Sequence, residues 1–225
     1  MPAKNKPPAQ RLLIVDDHPM MRTGLAQLID NEVDLKVFAE AENAGQALDI
    51  AVRQALDLIL LDISLPDKNG LELIKDIQAL KPALPILVVS MHDESLYAER
   101  ALRAGARGYL MKREAAKKVI QGIRAVLTGQ LFVSEKITAT MAERFVAGRP
   151  AGASPVDLLS DRELEVFQLL GRGQNTRQIA DHLHVGFKTV QAYCARIKEK
   201  LQLANATELL RAAMQWNEQQ SKSAQ

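Results

Sequence analysis

The stretch that decides the fold is DLILLDISLPDKNG, residues 57–70. Four consecutive apolar residues, Leu58, Ile59, Leu60 and Leu61, end in a carboxylate, Asp62. A short apolar run bounded by polar residues reads as a strand buried on both faces, as in parallel sheets. A charge at the mouth of such a strand is costly unless something pairs with it. Asp62 therefore demands a partner.

Working outward, the same alternation recurs on both sides. Strand patterns lie at 11–15, 35–41, 56–61, 85–90 and 108–112, separated by helical periodicity at about 19–30, 44–54, 70–80, 95–105 and 115–128. Asn69-Gly70, Ala104-Gly105 and Arg107-Gly108 mark turns. Five repeats of strand then helix imply a parallel sheet with helices on both faces. Beyond it, 134–146 reads as a helix, and FVAGRPAGASPVD (145–157) as a linker. From there every pattern is helical, at 161–170, 175–183, 187–202 and 206–217. The chain is expected to form two domains: an α/β domain at 11–128 and an all-α domain at 158–218. A linker helix and flexible linker at 129–157 would join them.

Composition narrows the function classes. The 225 residues are 47% hydrophobic and 25% charged, ordinary for a globular protein. One cysteine excludes an internal disulfide framework and a cysteine-based zinc site, and fits a reducing cytoplasm. No apolar run approaches the roughly 18 residues of a membrane span, and MPAKNKPPAQ lacks the apolar core of a secretory signal. It reads as a short disordered leader. The net charge of +2 does not announce a nucleic-acid partner. Residues 1–127 carry 17 Lys/Arg and 17 Asp/Glu, and residues 155–225 carry 9 and 8, so any basic surface must be local.

In an open parallel sheet, ligands bind outside the carboxyl ends of the strands. Those ends carry Asp16 and Asp17 after the first strand, Asp62 after the third, Ser90 at the fourth and Lys112 at the fifth. Alone, each aspartate reads as a helix cap or turn residue and Ser90 as nothing in particular; their joint placement is the signal. Clustered carboxylates repel one another unless a cation neutralises them. Oxygen-only ligands with partial hydration suit Mg²⁺. A lysine and a hydroxyl opposite could hold the oxygens of a phosphoryl group, so the set looks built to move phosphate onto Asp62.

VDDHP (15–19), LLDISLPDKNG (60–70), VVSMHDE (88–94) and GARGYLMK (105–112) resemble the four signatures of a response-regulator receiver domain, in the NarL/FixJ version. The resemblance implies a flavodoxin-like (βα)5 fold with sheet order 2-1-3-4-5 and Asp62 as phosphoacceptor. It implies Mg²⁺ held by Asp17, Asp62 and the backbone carbonyl of Ser64, with Asp16 acting through water. Ser90 would bond a phosphoryl oxygen, Lys112 would pair with the phosphate, and Tyr109 matches the aromatic that moves inward when Ser90 shifts. Arg113 replaces the proline that many receivers carry after the lysine, so this loop is expected to differ. His18 and His92 lack metal-like spacing and read as loop residues.

The segment QNTRQIADHLHVGFKTVQAYCARIKEKL (174–201) reads as helix, turn, helix. Val190, Cys194, Ile197 and Leu201 form an apolar stripe on its second helix. The opposite face carries Lys188, Gln191, Ala195 and Lys198, with Ala192 and Arg196 beside it. From 186 to 200 there are four Lys/Arg and one Glu. Small residues flanked by cations suit the major groove, where cations grip phosphates and Gln can pair with adenine. LSDRELEVFQLLGRGQNTRQIADHL (159–183) followed by KTVQAYCARIKEKL (188–201) resembles the LuxR-type helix-turn-helix, a small four-helix domain. The resemblance makes 187–202 the recognition helix and implies dimers on inverted half-sites. Gln191, Ala192 and Ala195 would read bases, while Lys188, Thr189, Arg196 and Lys198 contact the backbone. Gly186 stands where the family has a serine cap. Gln191 and Ala206 replace a lysine and an arginine, and Tyr193 a histidine. Tyr193 either reaches a phosphate or packs, and Cys194 belongs to the core.

These readings converge on a cytoplasmic, non-enzymatic transcription regulator. A sensor histidine kinase or small phosphodonor would phosphorylate it at Asp62 with Mg²⁺. Double-stranded DNA and a second copy of the chain are its expected partners, the dimer forming when the chain is phosphorylated or on DNA. Two alternatives stand beside it. One is a regulator of the same fold that binds DNA without phosphorylation. The other is an aspartyl-phosphate phosphohydrolase, against which Ser64 argues, since the haloacid-dehalogenase family carries an acid two residues after its nucleophile.

Overall fold

The computed structural model describes residues 8–114, 116–146 and 155–223. Residues 1–7 of the leader expected at 1–10, and residues 147–154 of the linker expected at 145–157, lie outside these. The chain divides into two compact units, Met1–Ala142 and Glu143–Gln225.

In the first unit, strands β1 (Gln10–Val15), β2 (Leu35–Ala41), β3 (Leu58–Leu61), β4 (Ile86–Ser90) and β5 (Gly108–Met111) alternate with helices α1 (Pro19–Asp30), α2 (Ala44–Arg53), α3 (Gly70–Leu80), α4 (Glu94–Ala104) and α5 (Ala116–Leu127). All strand pairs are parallel, in the order β2-β1-β3-β4-β5. β3 is central, and its four residues are buried throughout. On one face Leu12, Ile14, Leu58, Leu60, Leu87, Val89 and Leu110 pack with Leu25 and Ile29 of α1 and Val119, Ile120, Ile123 and Val126 of α5. The alternate strand residues, among them Leu13, Val15, Ile59, Leu61 and Val88, are buried as well. Period-2 alternation on a two-sided sheet therefore leaves the inner strands no polar face, which is why they read as continuous apolar runs, while the edge strand β2 alternates.

The boundaries differ from the sequence expectation where side chains intervene. β4 starts at Ile86 because Pro85 has no N–H for the ladder; its carbonyl instead accepts from the Ile59 amide at 3.0 Å. β3 starts at Leu58, and the preceding Asp57 carboxylate accepts from the Arg11 amide at 2.7 Å. After α5 the chain turns at Gly129 (φ +81°) and makes a single parallel bridge, Phe132 with Gly108, on the outer edge of β5. Helix α6 (Glu135–Val146) follows. Among the described residues no peptide bond is cis.

The second unit opens with a 3-10 turn, Pro155–Leu158, followed by α7 (Asp161–Gly171), α8 (Thr176–His182), α9 (Phe187–Lys200) and α10 (Ala206–Ser223). Leu164, Phe167, Ile179, Val190, Ile197, Leu209 and Ala213 are buried. Capping boxes start two of these helices, Ser160 with Glu163 on α7 and Asn175 with Gln178 on α8. α10 runs past the expected 217, since its extension contains no Gly or Pro to stop it.

Candidate functional site

β1, β3, β4 and β5 end side by side, and the topology brings their terminal polar residues together. Asp16, Asp62 and Ser90 are buried. Lys112 lies between two carboxylates, its Nζ 2.6 Å from Asp16 Oδ2 and 2.7 Å from Asp62 Oδ2, with all three side chains at most 3% exposed. Asp16 also accepts from the His18 amide at 2.9 Å, and its carbonyl accepts from Arg22 Nη1 at 2.6 Å. Burial raises the Asp62 carboxyl above its ordinary range; Lys112 opposes this, and the neighbouring Asp16 charge adds to it. Burial works against the Lys112 cation, but Asp62 and Asp16 outweigh it and hold the ammonium charged to higher pH.

One carboxylate atom of this cluster, Asp62 Oδ1, is buried without a hydrogen-bond partner, and Asp17 Oδ1 meets the His18 ring. Asp16, Asp17, His18 and Asp62 each offer a ligand atom, all within 4.8 Å of one another. Orphaned buried carboxylate oxygens are expensive unless a cation or a reacting group meets them. An oxygen-rich set of this kind fits a hard divalent cation such as Mg²⁺. His18 is the member that the sequence reading set aside: as the residue before α1, its Nδ1 comes 2.5 Å from Asp17 Oδ1. The adjacent Asp-Asp-His run at a strand end was the available signal.

Around the cluster, Ser64 is half-buried and its hydroxyl hydrogen-bonds His92 Nε2 at 3.0 Å. The His92 ring stacks on Tyr97 at 4.4 Å, and its amide approaches Ser90 Oγ at 3.4 Å. Tyr109 lies inward, 1% exposed, with its hydroxyl donating to the His92 carbonyl at 2.9 Å. Burial drives the Tyr109 phenol well above its usual range. His92, read as a loop residue, is thus a junction between the β3 end, the β4 end, α4 and Tyr109. Asp67 fixes the other side of the loop, its carboxylate accepting from the Ala44 and Gly45 amides of α2 at 2.8 and 2.9 Å. Gly70 lets α3 start against the Asp62 backbone, because a Cβ there would lie 2.6 Å from the Asp62 carbonyl oxygen. The cleft of about 350 Å³ lined by Gln10, Asp57, Gln78, Leu84 and Arg107 lies at the opposite end of the strands, away from this chemistry.

In the second unit, Lys188, Thr189, Gln191, Ala192, Ala195 and Arg196 are exposed on α9, and Lys198 is half-buried. Val190 and Ile197, on the other side of the helix, are buried. The Arg196 guanidinium lies 5.0 Å from the Tyr193 ring centre. Cys194 is half-buried, and burial pushes its thiol up, which leaves it a poor nucleophile. The α9 N-cap, Gly186, gives no side-chain cap. The turn before α9 passes through His184 at φ +51°, a left-handed position that the sequence reading did not foresee.

Comparison with known proteins follows the same division. A family model described as "Response regulator receiver domain" matches residues 12–124, and one described as "Bacterial regulatory proteins, luxR family" matches residues 157–213. The oxygen regulatory protein NreC of Staphylococcus haemolyticus is 31% identical over 209 residues, 91% of this chain and 96% of that protein. The transcriptional activator protein ExaE of Pseudomonas putida is 34% identical over 204 residues, 91% of this chain and 95% of that protein. Among solved structures, a LuxR-family two-component response regulator from Aurantimonas sp. is 35% identical with a TM-score of 0.57, covering 61% of this chain and 99% of that one. RcsB of Salmonella enterica bound to promoter rprA with the phosphomimetic BeF3- has a TM-score of 0.61 at 23% identity, covering 90% of this chain and 97% of that one, a likeness of fold.

Proposed function

Since the chain belongs to the two-component response regulators that carry a LuxR-family DNA-binding domain, we propose that it is a transcription regulator switched by phosphorylation of Asp62. In this reading residues 11–128 are the receiver, 129–157 the linker and 158–218 the DNA-binding domain. The observation that carries it is the state of the Asp62 carboxylate. Its Oδ2 is held by Lys112, while its Oδ1 is buried and unpartnered at the mouth of β3.

Asp62 Oδ1 attacks the phosphorus of a phosphohistidine on a sensor kinase, or of a small acyl phosphate. The new O–P bond forms as the bond to the donor breaks, and the donor leaves with the electron pair. Lys112 stabilises the charge that develops on the phosphoryl oxygens. Asp16, Asp17 and Asp62, with the Ser64 carbonyl, would hold Mg²⁺, whose charge neutralises the phosphoryl oxygens. Ser90 then bonds a phosphoryl oxygen. Its displacement is transmitted to Tyr109 through residue 92, whose carbonyl holds the Tyr109 hydroxyl. The C-terminal domain responds by dimerising on DNA. Gln191, Ala192 and Ala195 meet base edges, and Lys188, Thr189, Arg196 and Lys198 meet phosphates. Among the described residues no helix is long and apolar enough to cross a membrane, and we place the protein in the cytoplasm.

The test is labelling of the full chain by radiolabelled acetyl phosphate with Mg²⁺. Wild type is expected to take up about one acid-stable, base-labile phosphoryl group per chain and Asp62→Asn none, as befits an acyl phosphate. Undiminished labelling of the variant would overturn the assignment.

A further inference from the structure

The outer edge of β5 is not open where the chain leaves α5. The Phe132 amide donates to the Arg107 carbonyl at 3.0 Å, and the Tyr109 amide donates to the Phe132 carbonyl at 2.8 Å. Residues on either side of Gly108 are therefore tied to one residue of the segment that follows the receiver helices. Two glycines make room for it. A Cβ on Gly108 would lie 2.8 Å from the Phe132 carbonyl oxygen, and one on Gly122 would lie 2.9 Å from Cδ1 of its ring. Glycine in mid-helix is disfavoured by about 1 kcal/mol against alanine, so Gly122 at the buried face of α5 marks a close approach and not a flexible point. The ring joins the core formed by α1, α5 and the sheet.

Two residues beyond, Ser134 begins α6: its hydroxyl accepts from the Ile137 amide at 3.2 Å, and Ile137 is buried. Tyr109 is consequently held at two ends. Its hydroxyl reports on His92 beside the Asp62 pocket, and its amide is bonded to the segment that starts α6. A contiguous hydrogen-bonded and packed path of this kind can carry a displacement from one site to another.

We propose that residues 130–134 form a strap coupling β5 to α6, with Phe132 as the positioning residue through which the state of the Asp62 pocket reaches the chain leading to the C-terminal domain. The proposal rests on the phosphorylation reading above and deepens it.

Two measurements on the full-length chain decide it. In the first, amide exchange of wild type is followed with and without acetyl phosphate and Mg²⁺, with Asp62→Asn as the blank. Segments 107–111 and 129–137 are expected to change protection together, and the blank to show neither change. An unchanged 129–137 overturns the strap, whatever any variant does. In the second, affinity is measured for a duplex enriched from a random-sequence library on phosphorylated wild type. Phe132→Ala, and Gly122→Ala, which wedges the ring outward without opening a cavity, should retain stoichiometric labelling. Their phosphorylation-dependent gain should fall towards unity, from the roughly 5- to 150-fold typical of such coupling. A wild-type gain in the labelled variants overturns the proposal. A wild type that labels or binds no differently with phosphodonor would remove the underlying reading, and the strap with it.

Discussion

Lys200→Met would test how α9 is held. Lys200 Nζ at the end of α9 lies 2.7 Å from Glu163 Oε2 at the start of α7, with the glutamate 3% and the lysine 38% exposed. A hydrogen bond to a charged group contributes about 1.5–3 kcal/mol. Solvent screening of the more exposed lysine reduces this to about 1–2 kcal/mol. The loss stays below that of a fully buried pair because Glu163 keeps the Ser160 amide at 2.8 Å. Burial opposes ionisation of Glu163, but the hydrogen bonds from Lys200 and Ser160 outweigh it and hold the carboxyl below its usual range. Its folded pKa is thus below the unfolded one. The stabilisation is complete above the unfolded value near ~4.3 and is lost as pH falls through the folded value. Trp216 is the sole tryptophan, its ring 5.8 Å from Phe167 of α7, so its fluorescence follows this unit within the full chain. With a urea slope of about 2 kcal/mol/M, the midpoint at neutral pH should drop by about 0.5–1 M. The deficit should shrink as pH falls through the folded Glu163 value and the carboxyl is neutralised. An unchanged midpoint at neutral pH would refute the reasoning. A deficit that persists undiminished in acid would too, since it would assign the effect to the packing of the aliphatic stem.

Lys112→Met should destabilise the receiver by about 3–5 kcal/mol at neutral pH by stranding two buried carboxylates. Adding Asp62→Asn should recover part of this in thermal melts followed by circular dichroism, and no recovery would mean that the pair is not what the lysine supports. In wild type the raised Lys112 pKa adds stability below about pH 10, lost as pH rises through the folded value. Gly70→Ala places a Cβ 2.6 Å from the Asp62 carbonyl oxygen and 2.7 Å from Ile63 Cα, both unyielding backbone atoms. It should cost about 1–3 kcal/mol and slow phosphodonor labelling; a labelling rate equal to wild type would show that the loop absorbs it. His184→Gly removes a left-handed penalty, offset partly by unfolded-chain entropy. It should raise the Trp216-monitored midpoint by the equivalent of about 0.5–1 kcal/mol.

The sheet and most helix boundaries were legible because their signals are local: apolar runs of strand length, helical spacing and Asn-Gly turns. Asp16, Asp17, Asp62, Ser90 and Lys112 were legible for a topological reason, since parallel connectivity places every strand's carboxyl end on one edge. What escaped was long-range. Asp67 bonds amides 22 and 23 residues away, His92 meets Ser64 across 28 residues, and Phe132 pairs with the opposite end of the β5–α5 unit. Such pairings leave no period in the sequence. His184 escaped differently: a left-handed turn is expected at glycine, and here a histidine takes it.

The strapped β5 edge also bears on how the protein avoids sticking to itself. A five-stranded open sheet presents two rows of unpaired amides and carbonyls, each a template for strand addition by another chain. Phe132 caps one of them. At the other, β2 sets Lys36 and Glu40 outward, and the Arg11 guanidinium covers the ring of Phe38 at 3.7 Å. One edge is thus closed by the chain's own continuation and the other guarded by charge. Deleting the strap, unlike truncating the Phe132 side chain, removes the main-chain bonds that close this edge and would show itself first in aggregation during expression.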